Sequence, residues 1–112
     1  MLYEKSTLLD LYHLDHHTTV IELDDRIDYE SINSIRSQVM DVTKTSSKVL
    51  VLDMHNVSFI DSSGLGLLIS VMKVMRAKNG KLVLSGMNEN ISSLIEITQI
   101  DHLFEICDRF SA

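Results

Sequence analysis

The chain has 112 residues, 45% of them hydrophobic, and a formal charge of −6. That is enough apolar material for one compact domain, 1–112, with a single core. The densest positive group, Lys73, Arg76, Lys78 and Lys81, is interrupted by apolar residues. The acidic balance therefore excludes nucleic acid and anionic membrane as natural partners. The lone cysteine, Cys107, rules out an internal disulfide framework. It sits in an apolar run, where a buried structural thiol is expected, and it suits a reducing cytoplasm. No apolar run approaches the length of a membrane span, and Met1-Leu2-Tyr3-Glu4-Lys5 lacks the pattern of a secretion signal.

In chain order, residues from Thr7 to Leu14 and from Thr19 to Leu23 read as two strands. In the second, Thr19, Ile21 and Leu23 share one face, while Val20, Glu22 and Asp24 share the other. The polar segment His13 to Thr18 holds the turn between them. Asp28 is the expected N-cap of a first helix, whose apolar stripe is Ile32, Ile35, Val39 and Val42. Ser46 and Ser47 close that segment. Val49-Leu50-Val51-Leu52 is a continuous aliphatic run, the pattern of a strand covered on both faces.

A second helix is expected from near Ser63 to about Lys78, with Leu65, Leu68, Ile69, Met72 and Met75 at helical spacing. Leu67, Val71 and Val74 widen its apolar face, so it packs in the interior, with Met72 and Met75 as core filling. Asn79-Gly80 is a stop signal, since glycine accepts the left-handed conformation after a helix end. Lys81 to Ser85 reads as a buried strand. Asn88 caps a third helix carrying Ile91, Leu94, Ile95 and Thr98, and Leu103 to Cys107 is a short last strand. The order ββαβαβαβ calls for helices packed on a mixed sheet, an α/β layer fold.

The richest chemistry lies in Phe59-Ile60-Asp61-Ser62-Ser63-Gly64-Leu65-Gly66, between a strand and an apolar helix. A hydroxyl at a helix start lies beside unpaired amides and the positive end of the helix dipole. One reading is structural: Ser62 or Ser63 caps the helix. The other is a regulatory phosphosite, where a phosphate would add about −1.5 to −2 of charge and three acceptor oxygens. The turn by itself fits both.

Enzyme readings find less support. A nucleophilic Ser62 needs a base within hydrogen-bond reach. His55, with Asp53 to orient it, is the nearest in sequence, but the spacing demands no such arrangement and the G-x-S-x-G elbow is absent. Gly64 and Gly66 lack the Lys-Ser/Thr ending of a P-loop. His13, His16 and His17 lie in a polar turn that completes no metal-ligand pattern. No catalytic residue, metal or cofactor is expected.

Asp53 at the end of the aliphatic strand, followed by Val57-Ser58-Phe59-Ile60-Asp61-Ser62-Ser63-Gly64-Leu65-Gly66, resembles the STAS domain of bacterial anti-sigma factor antagonists. The inferred element order agrees with that family along nearly the whole chain. The resemblance implies a partner switch. The unphosphorylated antagonist binds an anti-sigma factor that is also a serine kinase, and so releases the sigma factor. ATP-dependent phosphorylation of the serine after the motif aspartate, here Ser62, ends binding, and a metal-dependent phosphatase restores it.

On the same resemblance, Ser63 is the helix cap and Asp61 borders the recognition surface. That surface comprises Asp28, Asp61, Ser62, Ser63, Gly64, Leu65 and Gly66, and Gly86 to Asn88 adjoin it by position at a strand carboxyl end. Asp28 matches the aspartate of the family's Gly-x-Leu-Asp element, read here as Asp25-Arg26-Ile27-Asp28, with Asp25 where glycine is usual. A family C-terminal helix would be very short or absent after Phe110. The resemblance implies a cytoplasmic protein, monomeric when free, that is a kinase substrate and not an enzyme. The competing readings are a constitutive STAS subunit of a larger complex, such as a membrane transport assembly, and an antagonist in a partner-switching circuit that does not control sigma.

Overall fold

The computed structural model describes residues 9–108, with side chains from Leu11 onward. Thr7 and Leu8 of the expected first strand, and the segment around Phe110, lie outside the described residues. The elements are β1 (Leu9–His13), β2 (Thr18–Ile27), α1 (Ile32–Thr43), β3 (Val49–Ile60), α2 (Ser62–Ala77), β4 (Lys81–Ser85), α3 (Glu89–Ile97), a 3₁₀ turn (Asp101–Leu103) and β5 (Glu105–Cys107). The order ββαβαβαβ is the one expected. The five strands form one sheet in chain order, β1-β2-β3-β4-β5. β1 runs antiparallel to β2, and every later pair is parallel.

Alternation along the strands sorts the two faces of the sheet. Ile21 and Leu23, Leu50, Leu52 and Met54, and Leu82 and Leu84 join α1, α2 and α3 in one buried cluster. Met72 and Met75 are part of it, as core filling requires. Val20 and Val51 are also buried but point the other way, outside that cluster. The continuous aliphatic run therefore lies in a strand buried on both faces, and among the described residues helices cover one of them.

The expected bounds of β2 and β3 were too short. β4 stops pairing at Asp53↔Ser85, yet β3 continues to Ile60 beside β2 alone. Two register shifts, between Glu22 and Asp24 and between Asp25 and Arg26, accommodate this two-stranded extension. At the second, Asp25 takes a positive φ of 62°. The position where the family element usually has glycine is thus left-handed here, a conformation aspartate tolerates better than most side chains.

Three local expectations are corrected. After α2 the left-handed residue is Asn79 (φ 62°), not Gly80. Asn79 N–H donates to Arg76 O at 2.9 Å and Gly80 N–H to Met75 O at 2.7 Å, the paired bonds of a Schellman end. Gly80 is needed for space, because a Cβ there would collide with Lys48 O. Cys107 is exposed rather than buried. It stands opposite Ser85 on the face without helices, in an edge strand whose three residues are all exposed. The last strand is also shorter than expected, because Asp101–Leu103 forms a 3₁₀ turn.

Candidate functional site

The β2–β3 extension carries two segments to one end of the sheet: the loop after β2 and the turn that opens α2. They meet backbone to backbone. Asp61 N–H donates to Ile27 O at 3.3 Å. Gly64 is buried against the same carbonyl, where a Cβ would lie 2.7 Å away.

Asp61 is the N-cap of α2, in extended conformation (φ −112°, ψ −169°). Its Oδ1 accepts from Ser63 N–H at 2.8 Å and from Gly64 N–H at 3.2 Å. The expectation that Ser63 caps the helix is therefore wrong: Ser63 lies inside the first turn and donates its amide to the cap. Oδ2 of Asp61 accepts from Tyr29 N–H at 3.1 Å, tying the β2–α1 loop to the turn. Ser62, the first residue of α2, is exposed, Ser63 and Leu65 are half-buried, and Gly66 is exposed. Asp28, Asp61, Ser62, Ser63, Gly64, Leu65 and Gly66 are thus drawn to one end of the fold, although Gly64 serves packing.

Asp28 does not cap α1 as expected. The helix starts at Ile32 after Ser31, which makes no side-chain cap. Asp28 instead organises the turn before it. Its Oδ1 accepts from Glu30 N–H at 3.1 Å and Ser31 N–H at 3.2 Å, and its Oδ2 from Arg26 Nε at 3.0 Å. The Arg26 hydrogen bond, then the two amides, hold the Asp28 carboxyl below the usual carboxylate range.

Local pattern gave no sign of three surface residues here. Arg26 lies opposite Phe59 in the ladder, and its guanidinium carbon sits 4.2 Å from the ring centre. Tyr29 is 71% exposed and Phe59 40% exposed. The Arg26–Phe59 pairing follows from the shifted register of the extension, which only the fold reveals. A shallow cleft of about 220 Å³ beside them is lined by Asp24, Asp25, Arg26, Asp28, Glu30 and Ser31. Asn88, from the Gly86 to Asn88 segment, caps α3 through Ile91 N–H and donates to Val57 O.

The other candidates stand apart. His55 Nδ1 lies 2.7 Å from Asp53 Oδ1, so the orienting pair forms. Both are on the face without helices, and no hydrogen bond among the described residues joins His55 to Ser62. His13 bonds the Thr19 hydroxyl through Nδ1, and His17 N–H donates to Asp15. No three His, Cys, Asp or Glu residues among the described ones are grouped to hold a metal ion. No helix among the described residues is long and apolar enough to cross a membrane.

Among the described residues, a five-stranded mixed sheet with three helices on one face, and an exposed serine opening the central helix beside an aspartate cap, define a small α/β domain. The STAS domain family matches residues 9–112, and the chain belongs to that family. The anti-sigma-B factor antagonist of Listeria monocytogenes is 38% identical over 58 residues, 52% of this chain and 51% of that one. The match thus spans about half the length of that relative. The anti-sigma F factor antagonist of Paenibacillus polymyxa is 24% identical over 98 residues, 85% of this chain and 84% of that one. Among solved structures, the Bacillus anti-sigma factor antagonist SpoIIAA has the same fold. Its unphosphorylated form gives a TM-score of 0.72 at 21% identity, covering 91% of this chain and 89% of that one. Its phosphorylated form gives 0.70 at 20% identity, covering 88% and 90%.

Proposed function

We propose that this STAS domain is an anti-sigma factor antagonist that works by partner switching. Unphosphorylated, it binds an anti-sigma factor serine kinase and releases the sigma factor. Phosphorylation of Ser62 by that kinase ends binding, and a serine phosphatase restores it. The chain acts as a regulated binding surface in the cytoplasm, as one domain over 1–112, without catalytic chemistry of its own.

The observation that carries this reading is the division of labour at the start of α2. Asp61 does the capping, so the exposed Ser62 has no structural task to lose on modification. The names of the Listeria and Paenibacillus relatives, and a structural relative solved in both phosphorylation states, support the same reading. Charge supplies the switch: a phosphate of about −1.5 to −2 beside Asp61 changes the surface without unfolding the domain.

The test is intact-mass and site-mapping analysis after incubation with ATP and a candidate anti-sigma kinase, comparing wild type with Ser62→Ala. Phosphate on Ser62 alone, absent from the variant, supports the reading. Ser62→Ala should still bind the kinase, while Ser62→Asp should bind more weakly. No phosphate with a kinase verified as active on its own substrate counts against it.

A further inference from the structure

A phosphate at a helix N-terminus is normally drawn to the free amides of the first turn. In α2 those amides are already taken. Ser63 and Gly64 N–H donate to Asp61 Oδ1, and the amide of Asp61 itself donates to Ile27 O at 3.3 Å. The nearby loop amide of Tyr29 donates to Asp61 Oδ2. Among the described residues, only Ser62's own amide is left in the first turn.

We propose that Asp61 is a positioning residue that keeps a phosphate on Ser62 out of the α2 N-terminus. By filling the amide sites with its own two oxygens, it leaves the phosphate projecting into solvent as an uncompensated dianion. The α2 first turn holds no acidic residue. The charged side chains on the segments around the turn are Asp24, Asp25 and Arg26 in the β2 extension, Asp28 and Glu30 in the loop, Arg36 on α1, Asp61 itself, and Glu89 at the start of α3. Of the two cations, Arg26 is committed to Asp28 and to the Phe59 ring, and Arg36 is the fifth residue of α1, beyond its first turn. The phosphate is then read directly by whatever docks on this surface, and it stays accessible to a phosphatase. A cradled phosphate would be partly neutralised and would signal by reshaping the turn instead.

This rests on Ser62 being the modified residue, but its test needs no kinase. Phosphoserine is placed at position 62 during translation, and its ³¹P resonance is titrated against pH. The wild-type phosphate should titrate at or above the value of about 6 for an unperturbed phosphoserine. Asp61→Asn loses the carboxylate charge but keeps Oδ1 as acceptor for Ser63 and Gly64. Asp61→Ala loses both and frees the amides, so its midpoint should fall below that of Asp61→Asn by about half a unit or more.

A wild-type midpoint well below about 6 would overturn the proposal, because amides would then reach the phosphate with Asp61 in place. Coincident midpoints for the two variants would also overturn it, leaving charge alone as Asp61's effect. If the alanine variant fails to fold, the wild-type midpoint still decides. Either negative result leaves phosphorylation of Ser62 untouched, and a kinase that ignores Ser62 leaves this result standing.

Discussion

Gly64 touches the carbonyl of Ile27 so closely that a Cβ on it would lie 2.7 Å from that oxygen, and nearer still to the Ile60 side chain. The two glycines of the Gly-Leu-Gly sequence therefore have opposite roles, since a Cβ at Gly66 would meet nothing within 4 Å. Gly64→Ala should lower the unfolding free energy by about 2 kcal/mol or more, because backbone must shift to admit the methyl. Gly66→Ala should raise it by about 0.5–1 kcal/mol through helix propensity. Urea unfolding of both variants checks the pair. Equal effects would refute the assignment.

Asp25 holds the left-handed conformation for which glycine is better suited. Asp25→Gly should leave stability unchanged or raise it by about 0.5 kcal/mol, relief of strain being offset by backbone entropy. Asp25→Val, β-branched and far less tolerant of positive φ, should cost about 1–2 kcal/mol. The order glycine, aspartate, valine in denaturant midpoint is the expected result.

These positions show where sequence was sufficient and where it was not. The stripe Ile32, Ile35, Val39 and Val42 and the run from Leu50 to Leu52 are local patterns, and both elements form. The extension of β2 through Asp24, Asp25 and Arg26 has no apolar alternation, because its pairing with β3 beyond β4 is a property of the sheet. Asp61, Ser62 and Ser63 are all chemically able to cap a helix, and only the extended backbone at Asp61 selects one of them. The exposure of Cys107 follows from an edge position that no local pattern records. The Asp-Ser-Ser-Gly turn was legible as a candidate site, whereas Arg26, Tyr29 and Phe59 come near it by tertiary placement.

Asp28 makes acid stability testable. Its folded-state carboxyl titrates below the usual carboxylate range, so its contribution is complete above about pH 4 and is lost as pH falls through the depressed value. Asp28→Asn should therefore be less stable than wild type at neutral pH. The two should converge on acidification, giving the variant a shallower loss below about pH 4. Some slope should remain, because Asp15 is depressed as well, chiefly by the His17 amide. Thermal unfolding across that range measures the difference, and parallel curves would contradict it.

Lys78 supplies a tertiary cap. The last turn of α1 has no basic residue, and Lys78 Nζ, from the end of α2, donates to Thr43 O and Thr45 O. Lys78→Met keeps the aliphatic stem and removes the donor, and should cost about 1 kcal/mol. Loss of amide-exchange protection should be concentrated at the end of α1, with the start of α2 unchanged. Uniform loss along the chain would argue against local capping.

The strand order has a consequence for how this molecule is assembled. Because β1 to β5 lie side by side in the order in which they are synthesised, each strand pairs with the one made just before it. No strand needs to insert between two already paired, so each step closes only the loop that joins neighbours. The sheet can therefore be built by accretion from the amino-terminal hairpin. β3 finds β2 waiting, and the Ser62 turn is set against Ile27 before β4 exists. The turn that holds Asp61 and Ser62 thus belongs to the part of the described chain that takes shape first.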